Sequence, residues 1–549
     1  MSSRARAALS ALLLVAAIAI AYRASFDGEF VSDDRSAILN NPLLRSLDLA
    51  NVRAIFSSFD DANYIPLKVL SLAVDQQVWG PAPFGYHLGN LLLHIVCALL
   101  VWRILAFCGL SSGAALLVAL LWALHPIQVE SVAFMSERKN VLSGACFFGA
   151  FLAYLHFSAS GRWRTYAAVL VLFVLALLSK MNTVVLPALC LAYDLLIARR
   201  LGRRSLLASL PLFAAGAVVV WYNLAGNPMH GTNFHGGSPL VTWLTSTTVP
   251  FRYLASVAWP AHLRSFYYVP LHGSPLDPPV ASSIAGLAAL AVLIGWLAWR
   301  RRPEAFWLFW FVVTLAPMLN IVPFPTLMQD RYMYLPLVGV LAAPAFALDA
   351  ALRAPAARRF AAAAAAAAAL GGALLTHQRI AAWHDELSLW RDWAVQEWYL
   401  PVDVGPLRGP MSDQKLAVLE EAARARPDDG VVRHNLGALL YERGDQPRAR
   451  TEMEAAQELG GSDAGVPLLN LGRVYLQTAD AQRADAALRR AVALEPYNYY
   501  SQLNLARAAL ALGDAASAAA ALDACDRIRP RAQGQNAAER AQLERLRQG

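Results

Sequence analysis

Two adjacent carboxylates, Asp33 and Asp34, lie in FVSDDRSAILNNP, just beyond the apolar run AALSALLLVAAIAIAY of residues 7–22. Side by side at a membrane edge, two like charges repel and add little stability. They call for a cation, a proton or a substrate hydroxyl as partner. A further acid, Glu130, falls in LHPIQVESVAFMSERKN with His125, Glu137, Arg138 and Lys139, and Lys180 interrupts the apolar run 165–198. Asp330 and Arg331 sit in MQDRYMYLP, while His87, Asn90 and His94 recur at i, i+3 and i+7, on one helical face. Acids alone would suit a proton pathway. Acids beside fixed cations suit a reaction in which a hydroxyl loses its proton and a phosphate departs. Two neighbouring carboxylates could equally hold a divalent cation, Mg or Mn, and the sequence leaves that choice open.

Each of these residues also has a plainer reading. Arg138, Lys139, Lys180 and Arg331 can snorkel to lipid headgroups, and Glu130 can pair with Arg138. His87, Asn90 and His94 suit interhelical hydrogen bonds better than metal ligation. The chemical reading rests on their convergence at one outer surface, which depends on the spans.

The 549 residues are 57% hydrophobic and 16% charged, against about 25% charged in ordinary soluble domains. The net charge of +8 comes from arginines in short loops between apolar runs, a positive-inside pattern that argues against nucleic acid as a partner. Five cysteines without a CxxC spacing indicate neither a zinc site nor a disulfide framework. Spans are expected at 7–22, 87–107, 113–125, 141–157, 165–179, 182–198, 206–223, 281–299, 305–322, 332–350 and 360–376, the first of them uncleaved. Placing the arginine loops on one side requires that 242–260, with Pro250 and Arg252, be re-entrant or in-plane. The N-terminus is then inside. Outer loops 24–85, 126–140 and 224–280 share the outer face with everything beyond residue 376.

After an expected linker at 377–410 the chain becomes charged, Ala-rich helix. Asn435-Leu436-Gly437, Asn470-Leu471-Gly472 and Asn504-Leu505-Ala506 recur at steps of 35 and 34 residues. Ala449, Ala484 and Ala518 follow in register, then Met453, Leu488 and Leu522, with Pro496 and Pro530 closing two units. This period resembles tetratricopeptide (TPR) repeats, paired helices that bury each other's apolar faces. The expected fold class is therefore all-α: a polytopic membrane domain over 1–376, then a TPR solenoid over 411–549. Residues 412–427 suit the second helix of a degenerate first unit and 535–547 a polar cap. The concave groove of such a solenoid suits an extended peptide.

The stretches FVSDDRSAILNNP, ALHPIQVESVAFMSERKNVLSG, LSKMNTVVLPALCLAYDLL and QDRYMYLPLVG occur in that order. Together they resemble the transmembrane and TPR repeat-containing O-mannosyltransferases, in the protein O-mannosyltransferase group of GT-C glycosyltransferases. The resemblance implies transfer of a sugar, mannose or another hexose, from a polyprenyl phosphate to a Ser or Thr hydroxyl of an exported protein. It implies a plasma-membrane enzyme, bacterial and multi-pass, with its repeats outside. By the same resemblance one of Asp33 and Asp34 is the general base, and Glu130 is a further acid near the acceptor or a metal. Arg138 is then a phosphate-binding cation, assisted by Lys180 and Arg331. His87, Asn90, His94, His125 and Asp330 give polar support. Two departures stand out: Met181 follows Ser179-Lys180 where the family usually has Glu, and Asn140 replaces an acid. An O-antigen ligase would be expected to place Arg and His in a late outer loop, whereas here acids come first. A non-catalytic membrane anchor for a TPR scaffold is the other rival. A transporter would need internal repeat symmetry, which the sequence lacks.

Overall fold

The computed structural model describes residues 2–548 except 61–62, 227–233, 352–354, 396–411, 460–464 and 529–535. Among the described residues the only β-pairing is an isolated bridge between Asp60 and Asn63. The helices run α1 (Ser3–Ala21), α2 (Leu49–Ser57), α3 (Pro66–Trp79), α4 (Pro83–Phe107), α5 (Ser112–Ala123), α6 (Val129–Ala133), α7 (Arg138–Ser160) and α8 (Trp163–Ser179). They continue with α9 (Leu186–Leu196), α10 (Arg203–Gly226), α11 (Pro239–Ser246), α12 (Val249–Ala258), α13 (Pro278–Trp299), α14 (Glu304–Leu315), α15 (Pro336–Ala351) and α16 (Pro355–Ile380). Each of the eleven expected apolar segments falls on helix.

These helices differ in length and apolarity. Among the described residues, α1, α4, α10, α13 and Met135–Ser160 are long and apolar enough to cross a membrane, and a sixth span results if α5 and Pro126–Ala133 count as one. Trp163–Ser179, Met181–Leu196, Glu304–Met318 and Pro336–Asp349 are shorter apolar helices. At about 1.5 Å per residue, 17 residues make roughly 26 Å against a core of about 30 Å. Among the described residues these criteria give five or six of the eleven expected spans. The chain is nonetheless a multi-pass membrane protein. Segment 242–260 forms α11 and α12, of 8 and 10 residues, each too short to cross.

The breaks carry the polar residues. The pair α5 and Pro126–Ala133 bends by 53°. Pro126 has no N–H to continue the helix and holds His125 extended, at ψ 127. Lys180, at φ −162, separates α8 from the 3-10 turn Met181–Val185 that leads into α9. Aromatic residues of α5, α7 and α14, including Trp122, Phe148, Phe151 and Trp310, fill the core between these broken helices.

Residues 377–395, expected as linker, instead complete α16 and form α17 (Glu386–Val395); 396–410 lies outside the described residues. The tail continues as α18 (Ser412–Ala425), α19 (Gly430–Glu442), α20 (Gln446–Glu458), α21 (Gly465–Gln477), α22 (Ala481–Leu494), α23 (Tyr499–Leu512), α24 (Ala515–Ile528) and α25 (Ala537–Gln548). The three recurring tripeptides lie on α19, α21 and α23, the first helices of three pairs. Pro530 lies outside the described residues. Asp429, Asp445, Asp480 and Asn498 cap α19, α20, α22 and α23 by accepting backbone N–H bonds.

The repeat's small residues have a steric cause. A Cβ at Gly472 of α21 would lie 2.5 Å from Cγ of Leu488 on α22. Leu488 is fully buried and cannot move aside. Gly472→Ala should therefore destabilise the solenoid by about 1–3 kcal/mol, the usual cost of overpacking. Thermal unfolding of the purified protein checks this, and an unchanged transition would contradict it.

Candidate active site

Asp33 and Asp34 part company in the folded chain. Ser32, just before them, takes a left-handed conformation with φ 48, which turns the chain sharply at this point. Asp34 is fully buried. Its Oδ1 accepts the Ser136 N–H at 2.7 Å and the Ser136 hydroxyl, and its Oδ2 accepts the Val31 N–H at 3.1 Å. Burial pushes the Asp34 carboxyl up to about 7, against those three hydrogen bonds. Asp33 is exposed and lines a cavity of about 1820 Å³.

That cavity collects charge from distant elements. Glu130, Lys139, Lys180 and Arg331 line it with Asp33. Glu130 grips Arg331 twice: its Oε1 accepts from Nη1 and its Oε2 from the backbone N–H, both at 2.8 Å. With its amide nitrogen turned toward them, Gln329 also donates to Glu130 and to the Ser265 carbonyl, each at 3.2 Å. Glu137 lies 3.0 Å from Lys139 Nζ and 3.6 Å from Arg331 Nε. Asn140 donates to Glu137 at 2.7 Å and accepts from Lys180 Nζ. Asn140 thus stands as a neutral partner to Lys180 where the resemblance expects acids at 140 and 181. Burial pushes the Lys180 ammonium down to about 7, while Glu137 pulls it upward.

The remaining expected residues lie elsewhere. Arg138 is 3% exposed and does not line the cavity. Its guanidinium donates to Asp75 at 2.5 Å, to the Tyr86 carbonyl at 2.9 Å and to Asn90 Oδ1. It clamps α3, α4 and α7 together, apart from the cavity that holds Lys180 and Arg331. Asn90 completes that clamp by donating to the Val132 and Phe134 carbonyls at 3.2 and 3.3 Å. His94 bonds the Tyr334 hydroxyl at 2.9 Å and the Ala123 carbonyl at 3.1 Å, and stacks on Trp122. His87 meets the Gly28 carbonyl at 3.3 Å and His125 the Val257 carbonyl at 3.1 Å. His94 joins α4 to α5, while His87 ties α4 to the loop at Gly28 and His125 ties the break after α5 to α12. Asp330 is buried and accepts from Tyr267 at 2.6 Å; burial holds its carboxyl well above the usual range.

A cation shared by Asp33 and Asp34 would have to compete with the donors that hold Asp34. Asp34 points inward, its oxygens already accepting from residues 31 and 136, while Asp33 lines the cavity. Among the described residues no group of three or more His, Cys, Asp or Glu could hold a metal ion.

Two further walls complete the cavity. One is apolar, with Val184, Val185, Val220, Leu224 and Val313 from the turn before α9, α10 and α14. The other comes from the TPR domain: Glu495, Tyr497, Asn498 and Tyr500, at the turn into α23. The Tyr268 hydroxyl donates to Glu495 across the junction. A Cβ at Gly237 would lie 1.8 Å from the Ile528 carbonyl oxygen, so loop and repeat meet backbone to backbone. No local sequence pattern marks these TPR contacts.

Residues 72–224 match the family model for dolichyl-phosphate-mannose-protein mannosyltransferase, and 467–498 match a tetratricopeptide repeat. Similar proteins include Protein O-mannosyl-transferase Tmtc1 of Drosophila melanogaster, 30% identical over 185 residues, 32% of this chain and 22% of that one. Protein O-mannosyl-transferase TMTC1 of Mus musculus is 34% identical over 206 residues, 34% of this chain and 22% of that one. The chain spans about a fifth of the length of these relatives. The crystal structure of ArnT from Cupriavidus metallidurans bound to undecaprenyl phosphate aligns with TM-score 0.36 and 13% identity, over 89% of this chain and 80% of that one. That likeness is too loose to carry an argument.

Proposed function

We propose that this chain is a membrane glycosyltransferase that moves a sugar, mannose or another hexose, from a polyprenyl phosphate to a Ser or Thr hydroxyl of an exported protein. The observation that carries the reading is one cavity in which an exposed carboxylate, Asp33, faces Lys180 and Arg331 beside an apolar wall. Asp33 accepts the proton of the acceptor hydroxyl as its oxygen attacks the anomeric carbon, and the bond from that carbon to the phosphate oxygen breaks. Lys180 and Arg331 stabilise the charge on the departing lipid phosphate, Arg331 being held in place by Glu130 and Glu137. The lipid tail lies along Val184, Val220 and Val313. The acceptor enters where the TPR turn 495–500 borders the cavity. The site faces the outer surface of a plasma membrane, with the repeats on that side.

Mass spectrometry of envelope proteins from a deletion strain and its wild-type complement tests the activity. Hexose on Ser or Thr should vanish in the deletion and return with the complement. Identical glycoproteomes would sink the reading.

A pH dependence follows from Lys180. Its ammonium is charged below about 7 and neutral above, so its hold on an anionic phosphate weakens as pH rises through that value. The KM for the lipid donor should climb from pH 6 to pH 8. Lys180→Arg, charged throughout, should flatten that climb. An equally steep climb in the arginine variant would remove Lys180 from donor binding.

A further inference from the structure

Helix α17 belongs to two domains at once. Leu389 packs in the core of the membrane domain, and its neighbour Trp390 packs in the TPR core. Asp385 caps the helix by accepting the Ser388 N–H at 2.8 Å, and the His384 carbonyl accepts the Glu29 N–H at 2.7 Å. The start of α17 is thereby fixed against the loop that leads to Asp33. From that start Glu386 reaches a residue 354 positions earlier: its Oε2 accepts the Ser32 N–H at 3.0 Å. Ser32 is the left-handed residue at φ 48. A side chain enters that region only where its surroundings hold it there. On the TPR side, Lys415 of α18 interacts electrostatically with Glu386 and stands 5.9 Å from the centre of the Trp390 ring.

We propose that Glu386 is a positioning residue: it pins the Ser32 turn that presents Asp33 to the cavity, and so makes the junction with the TPR domain part of the active site. This rests on the reading of Asp33 as the base. A merely structural role is distinguishable, because an acid in the first turn also favours a helix through its charge. Glutamine at 386 removes the charge and keeps an acceptor for the Ser32 N–H, whereas alanine removes both.

The test uses the full chain in lipid nanodiscs, with a polyprenyl phosphate-linked mannose and a Ser/Thr peptide. Glu386→Ala should lower kcat on the order of tenfold to a hundredfold with little change in either KM, the scale of a misplaced catalytic group. Glu386→Gln should recover most of that rate. Hydrogen exchange at the Ser32 amide should quicken in the alanine variant and stay slow in the glutamine variant. Equal losses in both variants, or an unchanged kcat in Glu386→Ala, overturns the proposal. Asp33→Asn separates the two levels. If it is inactive while Glu386→Ala is normal, only the positioning role fails; if it turns over normally, the base assignment fails with it.

Discussion

Asp33→Asn should reduce sugar transfer by on the order of 10²- to 10⁴-fold, the contribution of a positioned general base, and leave the fold intact. Asp33 is exposed on the cavity, and its carboxylate anchors no buried backbone group, so the amide replaces it without a packing cost. Asp34 should behave in the opposite way. Asp34→Ala strands the Ser136 and Val31 N–H groups in a fully buried place, at about 1–3 kcal/mol for each unsatisfied donor. The second variant should therefore unfold earlier. Whatever fraction stays folded should turn over at a rate far closer to wild type. Single-turnover transfer and thermal unfolding, measured on the same preparations, separate the two effects. A fully folded, inactive Asp34 variant beside an active Asp33→Asn would reverse the assignment.

The second large effect belongs to Arg331. Its guanidinium is the partner of two carboxylates, Glu130 and Glu137, each 2% exposed. Arg331→Met leaves both charges buried without it, and breaking a buried pair in this way costs about 3–5 kcal/mol. Adding Glu130→Gln to that variant removes one stranded charge, so the double variant should regain part of the lost stability. Activity should not return with it, because the cation proposed to face the lipid phosphate is still missing. A double-mutant cycle on unfolding, with donor KM measured in parallel, carries the comparison. Recovery of activity together with stability would make Arg331 a structural clamp only.

Arg138 and Arg331 show where local pattern stops being informative. Both are arginines beside acids at the ends of apolar segments, and nothing within a few residues of either distinguishes them. Arg138 faces inward because Asp75, on α3, and Asn90, on α4, stand ready to accept from it. Arg331 reaches the cavity because Glu130 lies across from it after the 53° bend at Pro126. The polar face of α4 was legible in part. The i, i+3, i+7 spacing placed His87, Asn90 and His94 on one face, and of the interhelical bonds expected there His94 to α5 and Asn90 to α6 are present, while His87 bonds a loop carbonyl. The partners themselves, Gly28, Val132 and Tyr334, come from elsewhere in the chain.

The sequence by itself determined whatever depends on near neighbours. Apolar runs became helices because a segment in lipid must satisfy its own backbone. The repeat period placed Gly472 against Leu488 because two helices joined by a short turn have only one close face to share. Tertiary structure alone decided which of two adjacent aspartates meets the cavity. Asp34 is drawn inward by donors 102 residues away at Ser136, and the turn before Asp33 is bonded to Glu386, 354 residues from Ser32. A loop carboxylate points wherever distant donors leave it, and periodicity carries no record of them.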